Sequence, residues 1–329
     1  MRFGLIGAGR IGRIHGGNVA ARAGAELAVI ADADAKAAES LASLTGAKVG
    51  TIEAIITGKD IDAVLICAPT DLHSELIEAA ARAGKAVFCE KPVDLSAERI
   101  RACLAVVAKA GTPLMIGFNR RFDPNFAALK GRLDRGAVGD VEIVTIISRD
   151  PAPPPLTYIA RSGGLFRDMM IHDFDLARFL LGEEPIAVTA VGSALVSADI
   201  GQAGDVDTAA VLLETRSGRI AQISNSRRAL YGYDQRIEVH GAKGMIRAGN
   251  IHETTVEVAG SAGFTSDPIQ NFFLERYAAA YRLELDAFID AVSAGRAPSP
   301  AGEDGLRAQM IADAATESCQ SHRRIAIEG

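Results

Sequence analysis

Removing a proton from a hydroxyl while its oxygen gathers charge calls for an imidazole, a carboxylate to steady it and a cation. Asp168 and His172 stand four residues apart in a stretch that reads as one helix over residues 168–181, which would set both on one face. Imidazole titrates near neutrality and can take a hydroxyl proton, and a carboxylate one turn away can orient it. Lys91 follows the apolar run Ala86-Val87-Phe88-Cys89 within the tripeptide Glu90-Lys91-Pro92, so it belongs at the carboxyl end of a strand. A cation there can bind a hydroxyl and stabilise negative charge building on its oxygen. Plainer readings exist: a helix-surface ion pair or a core histidine for the first two, and a solvated lysine or a Glu–Lys pair for Lys91. His172, Asp173 and Asp175 do not have metal-ligand spacing. The four cysteines, at 67, 89, 103 and 319, have neither metal nor redox spacing, which fits a reducing compartment, and Cys67 and Cys89, ending apolar strand-like runs, read as small buried thiols.

The elements that must position these groups begin at residue 2. Arg2-Phe3-Gly4-Leu5-Ile6 reads as a buried strand running into Gly7-Ala8-Gly9-Arg10-Ile11-Gly12, and the loop opens a helix to about residue 23. Gly7 permits the tight turn, Gly9 lets a pyrophosphate approach the backbone, and Gly12 lets the helix pack on the strand. The helix's first N–H groups supply the anion site. A second apolar run ends in Asp32, 20 residues beyond Gly12, the distance at which a carboxylate meets the adenosine ribose hydroxyls. Strand, loop, helix, strand and acid in register predict dinucleotide binding. The Asp32 charge, followed by Ala33 rather than arginine, favours NAD over NADP.

Strand-like and helical patterns then alternate to residue 117, which predicts a doubly wound parallel sheet. Ligands of such sheets lie outside the strands' carboxyl ends, so Ala68-Pro69-Thr70 and Glu90-Lys91-Pro92 should flank the nicotinamide half. His73 is expected to line that cleft or cap its helix. After residue 117 the texture changes to helix 124–135, a strand at 141–149, a proline-rich loop at 151–155, and strand-like runs separated by hairpin signals. These runs predict a mostly antiparallel open sheet. Two closing helices, near 271–294 and 302–321, precede a short strand at 324–327. The expected fold class is therefore α/β followed by α+β. A dinucleotide-binding domain spans residues 1–118 and a substrate and oligomerisation domain residues 119–329, with closing helices free to pack back on the first.

With 329 residues the chain has ample core for two domains. A hydrophobic fraction of 48% and a net charge of −6 leave no footprint for nucleic acid or an anionic membrane. No leader pattern or bilayer-length apolar run is read, and a cytoplasmic protein is expected.

Taken together, Gly7 to Gly12, Glu90-Lys91-Pro92 and the run Gly163-Gly164 through Asp168-Met169-Met170-Ile171-His172-Asp173 resemble the glucose–fructose oxidoreductase, inositol dehydrogenase and rhizopine-catabolism (Gfo/Idh/MocA) family over essentially the whole chain. The resemblance implies a catalytic triad of Lys91, Asp168 and His172. It also implies cofactor contacts from Gly7, Gly9, Arg10, Ile11, Gly12, Asp32, Ala68, Pro69, Thr70, His73, Glu90, Lys91 and Asn119. Substrate contacts would come from Lys91, Arg121, Tyr158, Asp168, His172 and Tyr233. Residues 163–175 and Tyr231-Gly232-Tyr233-Asp234 look most like inositol dehydrogenases. Some of those carry histidine and asparagine where this chain reads Ser148-Arg149-Asp150, which leaves the cyclitol or sugar open. The implied activity is NAD-dependent oxidation of a secondary hydroxyl on a cyclic polyol, myo-inositol to the 2-keto inosose. Another inositol isomer, an aldose or an anhydrosugar is the alternative within the enzyme class, and an NAD-sensing regulator the alternative outside it. The family's habit implies a homotetramer with a small-molecule substrate and no metal, nucleic-acid or membrane partner.

Overall fold

A computed structural model describes residues 1–327, which group into two compact units. The first contains Met1–Phe122 and Ala280–Gln309, and the second Asp123–Ala279 together with the chain from Met310 onward.

In the first unit, strands β1 (Arg2–Ile6), β2 (Glu26–Ala31), β3 (Lys48–Val49), β4 (Ala63–Ile66), β5 (Ala86–Glu90) and β6 (Leu114–Gly117) alternate with helices α1 (Arg10–Ala21), α2 (Ala35–Thr45), α3 (Ile52–Thr57), α4 (His73–Arg82) and α5 (Ala97–Ala110). The sheet order is β3-β2-β1-β4-β5-β6, and every pair is parallel. Every residue of β4, β5 and β6 is buried, as a sheet covered on both faces requires. The strand order reverses between β1 and β4, which opens a crevice at their carboxyl ends. Side-chain caps begin the flanking helices: Asp34 accepts from Lys36 N–H, Thr51 from Ala54 N–H and Ser96 from Arg99 N–H.

In the second unit, α6 (Pro124–Asp134) leads into β7 (Val141–Arg149), then α7 (Leu156–Ser162), α8 (Gly164–Asp168) and α9 (Ile171–Leu181). Strands β8 (Pro185–Ser193), β9 (Thr208–Thr215), β10 (Ile220–Ser226), β11 (Asp234–Gly241) and β12 (Gly244–Ala248) follow, with α10 (Ala198–Gln202) between β8 and β9. After these come a hairpin of β13 (Glu257–Gly260) and β14 (Gly263–Ser266), helices α11 (Phe273–Arg276), α12 (Ala278–Ser293) and α13 (Gly302–Ser321), and β15 (Ile325–Ala326). The large sheet runs β12-β11-β7-β10-β9-β8-β15, antiparallel except for the β7–β10 pair. β9 and β11 alternate buried and open residues, which marks a sheet with one covered face, and α9 packs on β7 and β10.

Three sequence expectations are corrected here. The single helix expected over 168–181 is two, because Met169 N–H and Met170 N–H both donate to Leu165 carbonyl, closing α8 before α9 begins. The proline-rich loop leads into the unforeseen helix α7. The helix expected at 271–294 is broken at Tyr277 into α11 and α12.

Leu285, Phe288 and Ile289 of α12 enter the core of the first unit beside Phe3, Leu5, Leu65 and Phe88. The Phe288 ring centroid lies 6.3 Å from Phe3 and 5.8 Å, edge-on, from Phe88. Phe288→Ala is therefore expected to lower unfolding free energy by about 3–5 kcal/mol in denaturant titration. A change near zero would mean that α12 is not part of this core.

Candidate active site

The glycine loop shows its constraints directly. Gly7 has φ +99°, and a Cβ there would lie 2.4 Å from the Cys67 carbonyl oxygen; one on Gly12 would lie 1.9 Å from the Gly7 carbonyl oxygen. Over Gly9 a Cβ would meet nothing within 4 Å, so the loop is closed on its protein side and open where a ligand would approach. α1 starts here with no side-chain cap and no acidic residue in its first turn, leaving its N–H groups and dipole uncompensated. Asp32 accepts from Ala8 N–H at 2.5 Å and from Asp34 N–H at 2.7 Å, which ties the end of β2 to the glycine loop. Asn119 lies almost fully buried beyond β6, and its Oδ1 accepts no hydrogen bond among the described residues, as an amide acceptor awaiting a ligand would. A dinucleotide fits this set: an open glycine, an uncapped helix start, a carboxylate at the ribose distance and an orphan acceptor.

Three residues expected to touch ligand also make contacts within the protein. His73 is buried, with Nδ1 2.7 Å from the Pro92 carbonyl oxygen and Nε2 2.8 Å from that of Ala68. Both ring nitrogens are thus taken by backbone, and His73, the first residue of α4, braces the loops after β4 and β5. Glu90 turns its carboxylate inward, because β5 is buried on both faces, and meets His15 Nε2 at 2.7 Å. Glycine at 117, its register partner on β6, leaves room for it: a Cβ there would stand 3.0 Å from the Glu90 carboxyl carbon. Tyr233 is a core residue, edge-on to Tyr277 with ring centroids 5.9 Å apart. Arg121 pairs with Asp304 of α13 at 2.8 Å. Lys91 is half-buried, directly after Glu90.

In the second unit, Asp168 ends α8 and His172 lies in the first turn of α9, so the break at Met169 and Met170 separates residues expected on one continuous helix. Asp168 accepts from Tyr158 Oη at 2.8 Å and from Arg227 Nη2 at 3.3 Å. Burial of the hydroxyl, followed by the Asp168 charge and the hydrogen bond donated to it, pushes the Tyr158 phenol above its ordinary range, although half of the residue is exposed. Arg227 is 1% exposed, so its charge is spoken for inside the protein, and nothing in the sequence around it signalled the role. Asp173 accepts from Asn225 at 2.9 Å, and Asp175 faces Arg178 at 3.6 Å, which occupies both carboxylates of the weighed metal set. Tyr231 donates to Asp234 at 2.6 Å and accepts from Arg149 at 3.0 Å.

Residues 1–118 match the family described as "Oxidoreductase family, NAD-binding Rossmann fold", and residues 126–247 the "GFO/IDH/MocA C-terminal domain". The chain is 56% identical over 327 residues to an inositol 2-dehydrogenase of Rhizobium meliloti (strain 1021), covering 99% of both chains. Its fold superposes with a TM-score of 0.96 on the crystal structure of a myo-inositol dehydrogenase from Corynebacterium glutamicum, at 44% identity over 100% of this chain and 99% of that one. A scyllo-inositol dehydrogenase from Lactobacillus casei, solved with bound NAD(H) and scyllo-inositol, gives 0.93 at 30% identity, with 99% of each chain covered.

Because the Gly12 position has no room for a side chain, Gly12→Ala is expected to weaken NAD binding about tenfold or more in a fluorescence titration. Unchanged affinity would remove the glycine loop from the binding site.

Proposed function

The chain belongs to the GFO/IDH/MocA oxidoreductase family, and on that footing we propose that it is an NAD-dependent dehydrogenase of a cyclic polyol, converting myo-inositol to its 2-keto inosose. The observation that carries this reading is the glycine cradle, open over Gly9, in a chain that aligns end to end with an inositol 2-dehydrogenase. Bound NAD supplies the hydride acceptor. Gly7, Gly9, Arg10, Ile11 and Gly12 would hold the pyrophosphate on α1, Asp32 the ribose hydroxyls, Ala68, Pro69 and Thr70 the neighbouring loop, and Asn119 the carboxamide. His172 takes the proton of the reacting hydroxyl; Lys91 binds that oxygen and stabilises its negative charge. Asp168, held in place by Arg227 and Tyr158, orients the imidazole. Asn119, Arg121 and Tyr158 are the groups proposed to hold the remaining ring hydroxyls.

No helix among the described residues is long and apolar enough to cross a membrane, and the four cysteines are free thiols. A cytoplasmic location accords with both. The uncovered face of the large sheet exposes Ile143, Val191, Leu212, Ile220 and Met245, which supports a homotetramer built through that face. Sedimentation should then report four times the mass of the chain.

A panel of inositol isomers, aldoses and anhydrosugars, followed by the absorbance of reduced nicotinamide, tests the substrate. myo-Inositol should give the highest kcat/KM. No turnover on any polyol, with NAD bound tightly, would favour a sensor instead. Lys91→Ala should lower kcat by about a thousandfold with NAD affinity altered less than about threefold. Near-normal turnover in that variant would strip Lys91 of its role.

A further inference from the structure

His15, Glu90 and Glu284 meet inside the first unit, far apart in sequence and with no part in the chemistry above. His15 lies in the second turn of α1, Glu90 ends β5, and Glu284 belongs to α12. One polar atom from each falls within 4.8 Å of the other two. His15 and Glu284 are both 0% exposed. Rings close the site: Phe88 lies 4.9 Å from the imidazole centroid, and Tyr281, one turn before Glu284, stands edge-on at 5.7 Å.

The charges in this enclosure do not balance unless a proton is added. His15 Nε2 is 2.7 Å from Glu90 and 3.8 Å from Glu284, so its N–H belongs to Glu90. Neither oxygen of Glu284 has a hydrogen-bond partner among the described residues. Burying a bare carboxylate so placed costs far more than burying the neutral acid. The other titratable groups facing the site, the Tyr281 phenol and the Cys67 thiol at the end of β4, bring no positive charge. Burial and then the Glu90 and Glu284 charges push that thiol upward. Burial, followed by the Glu90 charge, likewise raises Glu284 well above the carboxylate range. A metal ion fits poorly, since nitrogen and oxygen ligands about 2.0–2.1 Å from one tetrahedral centre sit about 3.3 Å apart, whereas His15 and Glu90 are at hydrogen-bond distance.

We propose that His15, Glu90 and Glu284 form a buried proton-sharing triad that positions Lys91. His15 donates to the Glu90 carboxylate, Glu284 carries the proton that lets two carboxyl groups occupy one sealed cavity, and the three pin α1, β5 and α12 together. Lys91 is the next residue after Glu90, so the triad fixes the backbone from which the proposed catalytic cation departs, relative to the helix that receives the pyrophosphate. All three act as positioning residues. The link to turnover rests on the dehydrogenase reading; the proton does not.

His15→Ala is expected to lower kcat about tenfold or more while the KM for NAD changes less than about threefold. His15→Gln, whose amide can still donate to Glu90, should recover most of the loss. Glu284→Gln keeps the shape of the neutral acid and cannot ionise, and it tests the proton without any need for turnover. The folded wild type retains a proton that the unfolded chain releases above about pH 4.3. Wild-type stability therefore falls as pH rises past that value, and the Tm advantage of Glu284→Gln over wild type should widen between about pH 5 and pH 8. At neutral pH the wild type should also show an infrared carbonyl band of a protonated carboxyl that this variant lacks. A Tm gap flat with pH, no such band, or wild-type kcat in His15→Ala overturns the proposal. One equivalent of divalent metal in the purified protein, lost in Glu284→Ala, overturns it too. A wild type inactive on every polyol would instead refute the dehydrogenase reading, with the melting and infrared results still deciding the proton.

Discussion

A parallel sheet sends all its strands' carboxyl ends to one edge, and beyond that edge no ladder hydrogen bond holds the loops. Here side chains take over. The Asp32 carboxylate ties the end of β2 to the backbone after β1, His73 bridges the carbonyls after β4 and β5, and His15 holds Glu90 at the end of β5. Each contact is short, and the two histidines are buried, so each is worth more than the same pair on the surface. Three groups of the first unit proposed to face ligand sit on this pinned edge: the open face of Gly9, the start of α1, and Lys91 after its buried glutamate. Preorganisation of this kind is what lets a backbone loop and a single cation stabilise charge without rearranging during reaction.

The second unit meets the same demand differently. Its mixed sheet provides a covered face on which α9 packs, and the short helix α8 ends beside it at Asp168. There the buried Arg227 and the half-exposed Tyr158 converge on one carboxylate. One cation and one hydroxyl donor, each on a different oxygen, restrain the rotation of that carboxylate. The break at Met169 and Met170 means that His172 takes its direction from the start of α9 rather than from a helix shared with Asp168.

Local patterns revealed what local physics sets. Gly7 and Gly12 were legible because backbone sterics allow little else, Gly9 because its spacing completes the glycine pattern, and the strands of the first sheet because burial on both faces leaves continuous apolar runs. Pairings across the chain were not legible: His15 and Glu90 lie 75 residues apart, and Asp168 and Arg227 lie 59 apart. No periodicity encodes such contacts. Tyr231 and Tyr233 illustrate a subtler limit, since two tyrosines flanking a glycine turn carry no sign of which one enters the core. Spacing alone put Asp168 and His172 on one helix, because the two methionines between them are good helix formers, whereas in the fold both methionine N–H groups turn back to the Leu165 carbonyl.

In the proposed reaction hydride leaves the carbinol carbon of a cyclic polyol for the nicotinamide ring. myo-Inositol bearing deuterium on carbon 2 tests it most directly, with the reduced cofactor recovered and analysed by mass spectrometry and proton NMR. Direct transfer puts the label on carbon 4 of the nicotinamide, on one face only, with one deuterium per turnover. Label released to solvent, or reduced cofactor carrying none, would contradict it.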